Sequence, residues 1–264
     1  MLAVLSPAKS LDLSPPKVRL EATQPALMDQ AAQLMRTTRG LSQTKIRALM
    51  NISPALAKLN YDRYRSFELP FDEHNATPAA TTFAGEVYRG LDARSLSAED
   101  LTWSQDRIAI LSGMFGLLRP LDLVQPYRLE MGTRLATRRG KNLYQFWGSR
   151  IAERVNEMLA EHTDKTLVNL ASNEYFKAIK KKQLEGPLLH IVFEDWKDDA
   201  RSPNVISFMA KHARGRMARF IIEERVDTAA QLRDFNYDRY EFQPDRSSDD
   251  RLVFGRVFIP VSKR

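Results

Sequence analysis

Leu2-Ala3-Val4-Leu5-Ser6-Pro7-Ala8-Lys9 begins with four apolar residues and ends in a polar turn that carries a lysine. An apolar run of this length, closed by Ser and Pro, is the pattern of a short buried strand. Working outward, apolar strand-like runs recur at residues 108–111, 166–170, 188–193, 205–208 and 252–259. Between them lie helical patterns. Residues 25–39 space Leu27, Ala31, Leu34 and Met35 for one helical face, and Gly40 marks a stop. Ser97 with Asp100 three residues on fits a helix start. Residues 142–162 read as one longer helix whose apolar face is Phe146, Ile151, Val155, Met158 and Leu159, and 209–225 as another. Residues 69–78, with their prolines, read as loop. Strands mostly separated by helices predict an α/β (mixed α+β) fold, a mixed sheet with helices packed around it. No Pro/Gly/Ser-rich linker divides residues 1–264, so they are read as a single compact domain.

The 264 residues carry 40 Lys+Arg against 33 Asp+Glu, a net charge of +7. The isoelectric point is near 9.6 and the mean hydropathy −0.41. This balance favours an anionic partner and is a footprint to check for nucleic-acid binding. The absence of cysteine rules out disulfides, thiolate metal sites and cysteine nucleophiles. His74, His162, His190 and His212 form no pair at ligand spacing on one helix, so no metal site and no cofactor are expected. Residues 1–5 are too short for the apolar core of a signal peptide, and no run reaches membrane-spanning length. The expected location is cytoplasmic, with no membrane partner.

Residues 43–60 carry the most specific local signal. Leu49-Met50-Asn51-Ile52-Ser53-Pro54-Ala55-Leu56-Ala57-Lys58 reads as a degraded helix-hairpin-helix element, with Asn51 and Ser53 where the hairpin glycines would stand. Asn tolerates left-handed backbone, and Ser53 can cap a helix that Pro54 opens. Hairpin amides and a helix N-terminus attract phosphate, and Lys45, Arg47 and Lys58 add charge beside them. An ordinary helical hairpin reads equally well from these residues.

Three further basic groups stand apart in sequence. On the helix at 209–225, Met209, Ala213, Met217, Phe220 and Ile221 are expected in the core, with Lys211, Gly215 and Arg219 on an exposed cationic stripe beside Arg214. A glycine there costs roughly 1 kcal/mol relative to alanine, which suggests that a ligand backbone or another chain comes close. Lys177, Lys180, Lys181 and Lys182 form the second group. Arg119, Arg128, Arg134, Arg138, Arg139 and Lys141 form the third. Gly113-Met114-Phe115-Gly116 lacks the ending of a phosphate-binding P-loop and reads as a tight turn. Ser6 and Lys9 make a Ser-x-x-Lys tetrad without the rest of an acyl-transfer apparatus. Lys9 remains a site candidate because strand ends open into crevices.

Several long strings together resemble the YaaA family of bacterial peroxide-stress proteins over nearly the whole chain. They are LSPAK (5–9), FAGEVYRGL (83–91), LSGMFGLLRPLDL (111–123), QPYRLEMG (125–132), LYQFW (143–147), NLASNEYFK (169–177) and ARGRMARFII (213–222). The resemblance implies survival of hydrogen peroxide through low unincorporated iron, and hence less iron-driven DNA damage. It also implies an unusual α/β fold with a basic cleft, a helix-hairpin-helix element and DNA binding. The expected mode is contact with the DNA backbone, without sequence reading. Asn51, Ile52, Ser53 and Lys58 would hold one phosphate, with Lys9, Arg128, Lys177, Lys211, Arg214 and Arg219 on others. The alternative is an enzyme acting on a phosphorylated or carboxylated small molecule in a pocket of Lys9, Arg128, Glu130, Lys177, Lys211 and Arg214. There Lys9 and Glu130 are the catalytic candidates, with Glu130 as acid or base. A third reading is an interaction protein whose basic surface meets an acidic partner.

Overall fold

The computed structural model describes residues 1–16, 18, 21–196 and 206–257. A seven-stranded sheet forms the centre. In chain order its strands are β1 (Leu2–Leu5), β2 (Ile108–Ser112), β3 (Gly116–Leu118), β4 (Leu167–Asn169), β5 (Leu188–Trp196), β6 (Glu241–Phe242) and β7 (Arg251–Val257). Their spatial order is β6-β7-β5-β4-β1-β2-β3. The five inner strands are parallel, and β6 and β3 close the two edges antiparallel. All four residues of β1 are buried, as a central parallel strand covered on both faces requires.

The covering helices are α1 (Met28–Arg39), α2 (Gln43–Met50), α3 (Pro54–Arg65), α4 (Glu86–Leu91), α5 (Ala98–Ser104), α6 (Leu143–Trp147), α7 (Arg150–Leu159), α8 (Asn173–Phe176) and α9 (Ser207–Glu223). Local chemistry sets many of their ends. Ser97 and Asp100 complete a capping box at α5, Ser53 caps α3 with Pro54 in its first turn, and Gly40 ends α1.

Four expectations need correction. The helix expected over 142–162 is broken, because Gly148 takes φ 55 and ψ −118, a conformation open mainly to glycine. The strand expected at 205–208 is absent over 207–208, where α9 already runs. Val205 lies outside the described residues, as do 258–259 of the last expected strand. Within the expected loop at 69–78, Thr77–Pro78 pairs antiparallel with Leu123–Val124. Finally, Gly215 does not lie on an exposed stripe but is buried. A Cβ built there would collide with Val87 O and come within 2.7 Å of Leu91 N, both on α4. Gly90 of α4 faces back in kind, against His212 O and, at 3.0 Å, Arg216 N. The close-approaching backbone inferred from Gly215 is therefore the protein's own.

β5 runs on past Phe193 through Glu194 and Asp195, both buried. Their charges are matched there. Arg246 lies 2.9 Å from Glu194, and Arg256 lies 2.6 Å from Asp195. Buried carboxylates persist only when paired and hydrogen-bonded.

Candidate functional site at the C-terminal edge of the sheet

The chain leaves β1 toward β2 on one side and β4 toward β5 on the other. Loops that diverge in this way from neighbouring parallel strands leave a crevice at their C-terminal ends. Ser6 follows β1, and Ser172 lies in the loop after β4. The Ser172 amide donates to Ser6 Oγ at 2.9 Å, and the two hydroxyls are 3.3 Å apart. Tyr88 Oη donates to Ser6 O at 3.0 Å. After β2, Ser112 Oγ accepts the amides of Met114 and Phe115 and sits 2.6 Å from Tyr127 Oη.

Residues 127–132 lie across this edge. Gly113 lets them approach, since an added Cβ there would collide with Leu129 O. Glu130 is the centre of the arrangement. Its Oε2 is 2.7 Å from Lys9 Nζ, and its Oε1 accepts from Arg128 Nη2 at 3.0 Å and Nε at 3.3 Å. Burial pushes the Glu130 pKa up, yet the hydrogen bonds and charges of Lys9 and Arg128 outweigh it and hold the carboxyl below its ordinary range. Glu130 is therefore an anion fixed between two cations, one of which, Lys9, has 62% of its side chain exposed. Tyr64 Oη donates to Arg128 O, which ties α3 to the same segment. Burial raises the pKa values of Tyr64, Tyr88, Tyr127 and Tyr175. These phenols remain protonated donors near neutral pH.

The predicted residues thus divide into groups. Lys9, Arg128 and Glu130 meet. Lys177 joins their surroundings indirectly: its ammonium lies 5.3 Å over the Tyr144 ring, Tyr144 Oη donates to Glu174 O, and Glu174 Oε1 accepts from Gly132 N. On α9, Lys211 is exposed, while burial lowers the pKa of Arg214. Arg219 is engaged within the protein. Its guanidinium bonds Ser95 Oγ at 2.8 Å, the carbonyls of Leu91 and Asp92, and Glu223. It locks α9 to the end of α4.

Asn51, Ile52, Ser53 and Lys58 form a separate feature. Asn51 takes the left-handed conformation, φ 49 and ψ 56, and ends α2. Ile52 points into the core, and Ser53 Oγ accepts Leu56 N at 3.3 Å. Neither α2 nor α3 has an acidic residue in its first turn. Lys45, Arg47 and Lys58 are exposed. Lys58 meets Asp62 at 2.6 Å, an exposed i,i+4 pair of a kind that contributes only about 0.3–0.5 kcal/mol.

Sequence reasoning did not single out Tyr64, Tyr88, Tyr127 or Ser112. The signal was partly present: Tyr127 immediately precedes Arg128–Glu130 in a string that has neither helical nor strand periodicity. Among the described residues no helix is long and apolar enough to cross a membrane.

The family model described as peroxide stress protein YaaA matches residues 1–246. The UPF0246 protein of Bordetella petrii is 51% identical over 256 residues, which cover 97% of this chain and 99% of that protein. A UPF0246 protein of Paraburkholderia phytofirmans is 50% identical over 262 residues, 98% and 100% of the two chains. One from Saccharophagus degradans is 47% identical over 256 residues, 97% and 99%. Similarity at this level over the full length of the relatives means that the chain belongs to the YaaA family of peroxide stress proteins.

Proposed function

We propose that this peroxide stress protein binds DNA through its phosphate backbone, with the α2–α3 hairpin as the primary contact, and so helps limit iron-dependent oxidative damage to the bound DNA. The observation that carries the reading is the hairpin apex. Asn51 turns the chain in left-handed backbone, Pro54 opens a twelve-residue helix, and that helix start is exposed, free of acidic side chains and flanked by Lys45, Arg47 and Lys58. Such a helix start favours an anion through its free amides and its dipole. Lys58 is held only by a weak surface pair and is free to exchange Asp62 for a phosphate. Lys9, Arg128, Lys177, Lys211 and Arg214 supply further backbone contacts. Arg219 is the weakest contributor, since its donors are used internally.

The test is binding of the purified protein to labelled duplex and to duplex with an internal bubble, across a salt series. If about five phosphates are neutralised, log affinity falls against log salt with a slope of roughly −4 to −5. Between 50 and 200 mM salt that is a loss of about 500-fold. Lys58→Glu should weaken binding and make the slope shallower by about 1, and Asn51→Asp should weaken it by placing a negative charge at the phosphate. Bubbled duplex should bind more tightly at matched salt. Weak binding with a shallow slope, indifferent to both variants, would overturn the reading.

One observation favours a second reading, an enzyme acting on a phosphorylated or carboxylated small molecule. The Lys9–Glu130–Arg128 cluster sits where strand connections diverge in a parallel sheet, the place such folds bind ligands. Glu130 would serve as the base and Lys9 would bind the anionic group. If DNA binding fails as described, this site becomes the leading candidate.

A further inference from the structure

A surface pocket of about 400 Å³ lies between α1 and the turn that precedes α6. It is distinct from the hairpin apex and from the Glu130 cluster. Gln33, Arg36 and Thr37 line one wall and share a face of α1 by their i, i+3, i+4 spacing. Arg138 and Arg139 line the other. They are the two central residues of a tight turn closed by Thr137 N to Gly140 O at 2.8 Å and Gly140 N to Thr137 O at 3.3 Å. The Arg139 amide also donates to Thr137 Oγ1. Gln145 of α6 pins the turn from behind by accepting Lys141 N at 2.7 Å. The two arginines are thus held on a fixed mount.

Three arginines therefore line one pocket whose lining contains no carboxylate. Among the described residues none of the three is ion-paired, whereas Arg94, Arg128, Arg219, Arg225 and Arg256 all are. Arg139 Nη1 is buried and has no hydrogen-bond partner. Burial and the charge of nearby Arg150 lower the Arg139 pKa. A buried donor without a partner is uncommon and calls for an explanation.

We infer that this pocket binds a compact oligophosphate, either free pyrophosphate or the phosphate chain of a nucleotide. Guanidinium forks match phosphate oxygens in bidentate geometry. Three positive charges are balanced by a di- or triphosphate, whereas orthophosphate or sulfate leaves charge uncompensated. The face of Phe146 is already covered by Arg139, whose guanidinium carbon lies 5.0 Å from the ring centroid. The pocket therefore recognises the phosphate chain and does not stack a base.

The experiment is calorimetric titration of the full chain with pyrophosphate, ATP, orthophosphate and sulfate at constant ionic strength, in the wild type, Arg139→Met and Arg36→Gln. Lys58→Glu serves as the hairpin control. Pyrophosphate and ATP are expected to bind one per chain, at least tenfold more tightly than sulfate or orthophosphate. Arg139→Met, which retains the stem over Phe146, should weaken both by tenfold or more. Arg36→Gln, at an exposed position on α1, should weaken them severalfold, and Lys58→Glu should change neither. If pyrophosphate alone shows this pattern the ligand is free pyrophosphate, and if ATP is the tighter of the two it is a nucleotide. Pyrophosphate binding no tighter than sulfate, or affinity unchanged in both arginine variants, overturns the inference. Duplex DNA titrated alongside supplies a further overturning result: Arg139→Met weakening DNA binding while leaving pyrophosphate and ATP unchanged would make the pocket a backbone contact. The inference does not rest on the DNA reading, and the Lys58→Glu control separates their failures.

Discussion

Gly215→Ala is expected to destabilise the protein by about 3 kcal/mol or more, at the upper end of overpacking costs. For a chain of this size that lowers the melting temperature by roughly 6–12 °C. A single methyl group usually does less, but here it meets backbone. The added carbon would overlap Val87 O and stand 2.7 Å from Leu91 N, and neither can rotate away as a side chain could. Relief requires α4 and α9 to move apart, which opens the contacts around Gly90 and strains the Arg219 bonds to Leu91, Asp92 and Ser95. Gly90→Ala should behave alike for the reciprocal reason. Gly40→Ala is the control: Gly40 has a helical φ of −75, and its nearest neighbour to an added Cβ is 3.5 Å away. That change should be neutral or stabilising by up to about 1 kcal/mol. Thermal unfolding of the three variants decides the matter, and a Gly215→Ala melt within a degree of wild type would refute the α4–α9 packing.

Asp195→Ala carries the other large effect, a loss of about 3–5 kcal/mol, the range for removing one partner of a buried ion pair. Asp195 is fully buried on β5, and Arg256, its partner across the parallel β5–β7 pair, is only 14% exposed. Tyr240 Oη donates to both Asp195 oxygens, at 3.2 and 3.1 Å, while the Arg256 guanidinium lies 4.2 Å from the centroid of the Tyr240 ring. Truncating the carboxylate leaves the Tyr240 phenol without its acceptor and the mostly buried Arg256 guanidinium with the Asp238 carbonyl but no counter-charge. The double variant Asp195→Ala/Arg256→Met should recover much of the loss, because it removes the stranded charge together with its partner. Denaturant unfolding of the single and double variants measures both quantities. Additive losses, or a single-variant loss below 1 kcal/mol, would show that the pair contributes little.

The parts of this fold that could be read in advance are those governed by near neighbours in the chain. β1 was visible as four consecutive apolar residues. The α2–α3 hairpin was visible because Asn51, Ser53 and Pro54 each impose a local conformation, and the cap at Ser97 because its acceptor and donor lie three residues apart. The misreadings also have local causes. Gly148 sits inside an otherwise regular apolar period and breaks it through backbone conformation alone. The run Val205-Ile206-Ser207-Phe208 is apolar enough to resemble a strand, but the helix starts within it, at Ser207. Gly215 was recognised as a place of close approach, but its partner on α4 is remote in sequence.

The family, the alternation of strands and helices, the helical hairpin and the inventory of positive charge are all legible along the chain. Which charges act together is not. Packing in space brings Lys9 and Arg128 onto Glu130, uses up Arg219 in holding two helices together, and places Arg36, Arg138 and Arg139 on one pocket where, among the described residues, none of the three has an ion pair. The reason is that helix and turn preferences act over three or four residues of chain. Ion pairing and desolvation depend on distance and burial in space, which only the packed sheet and its covering helices set.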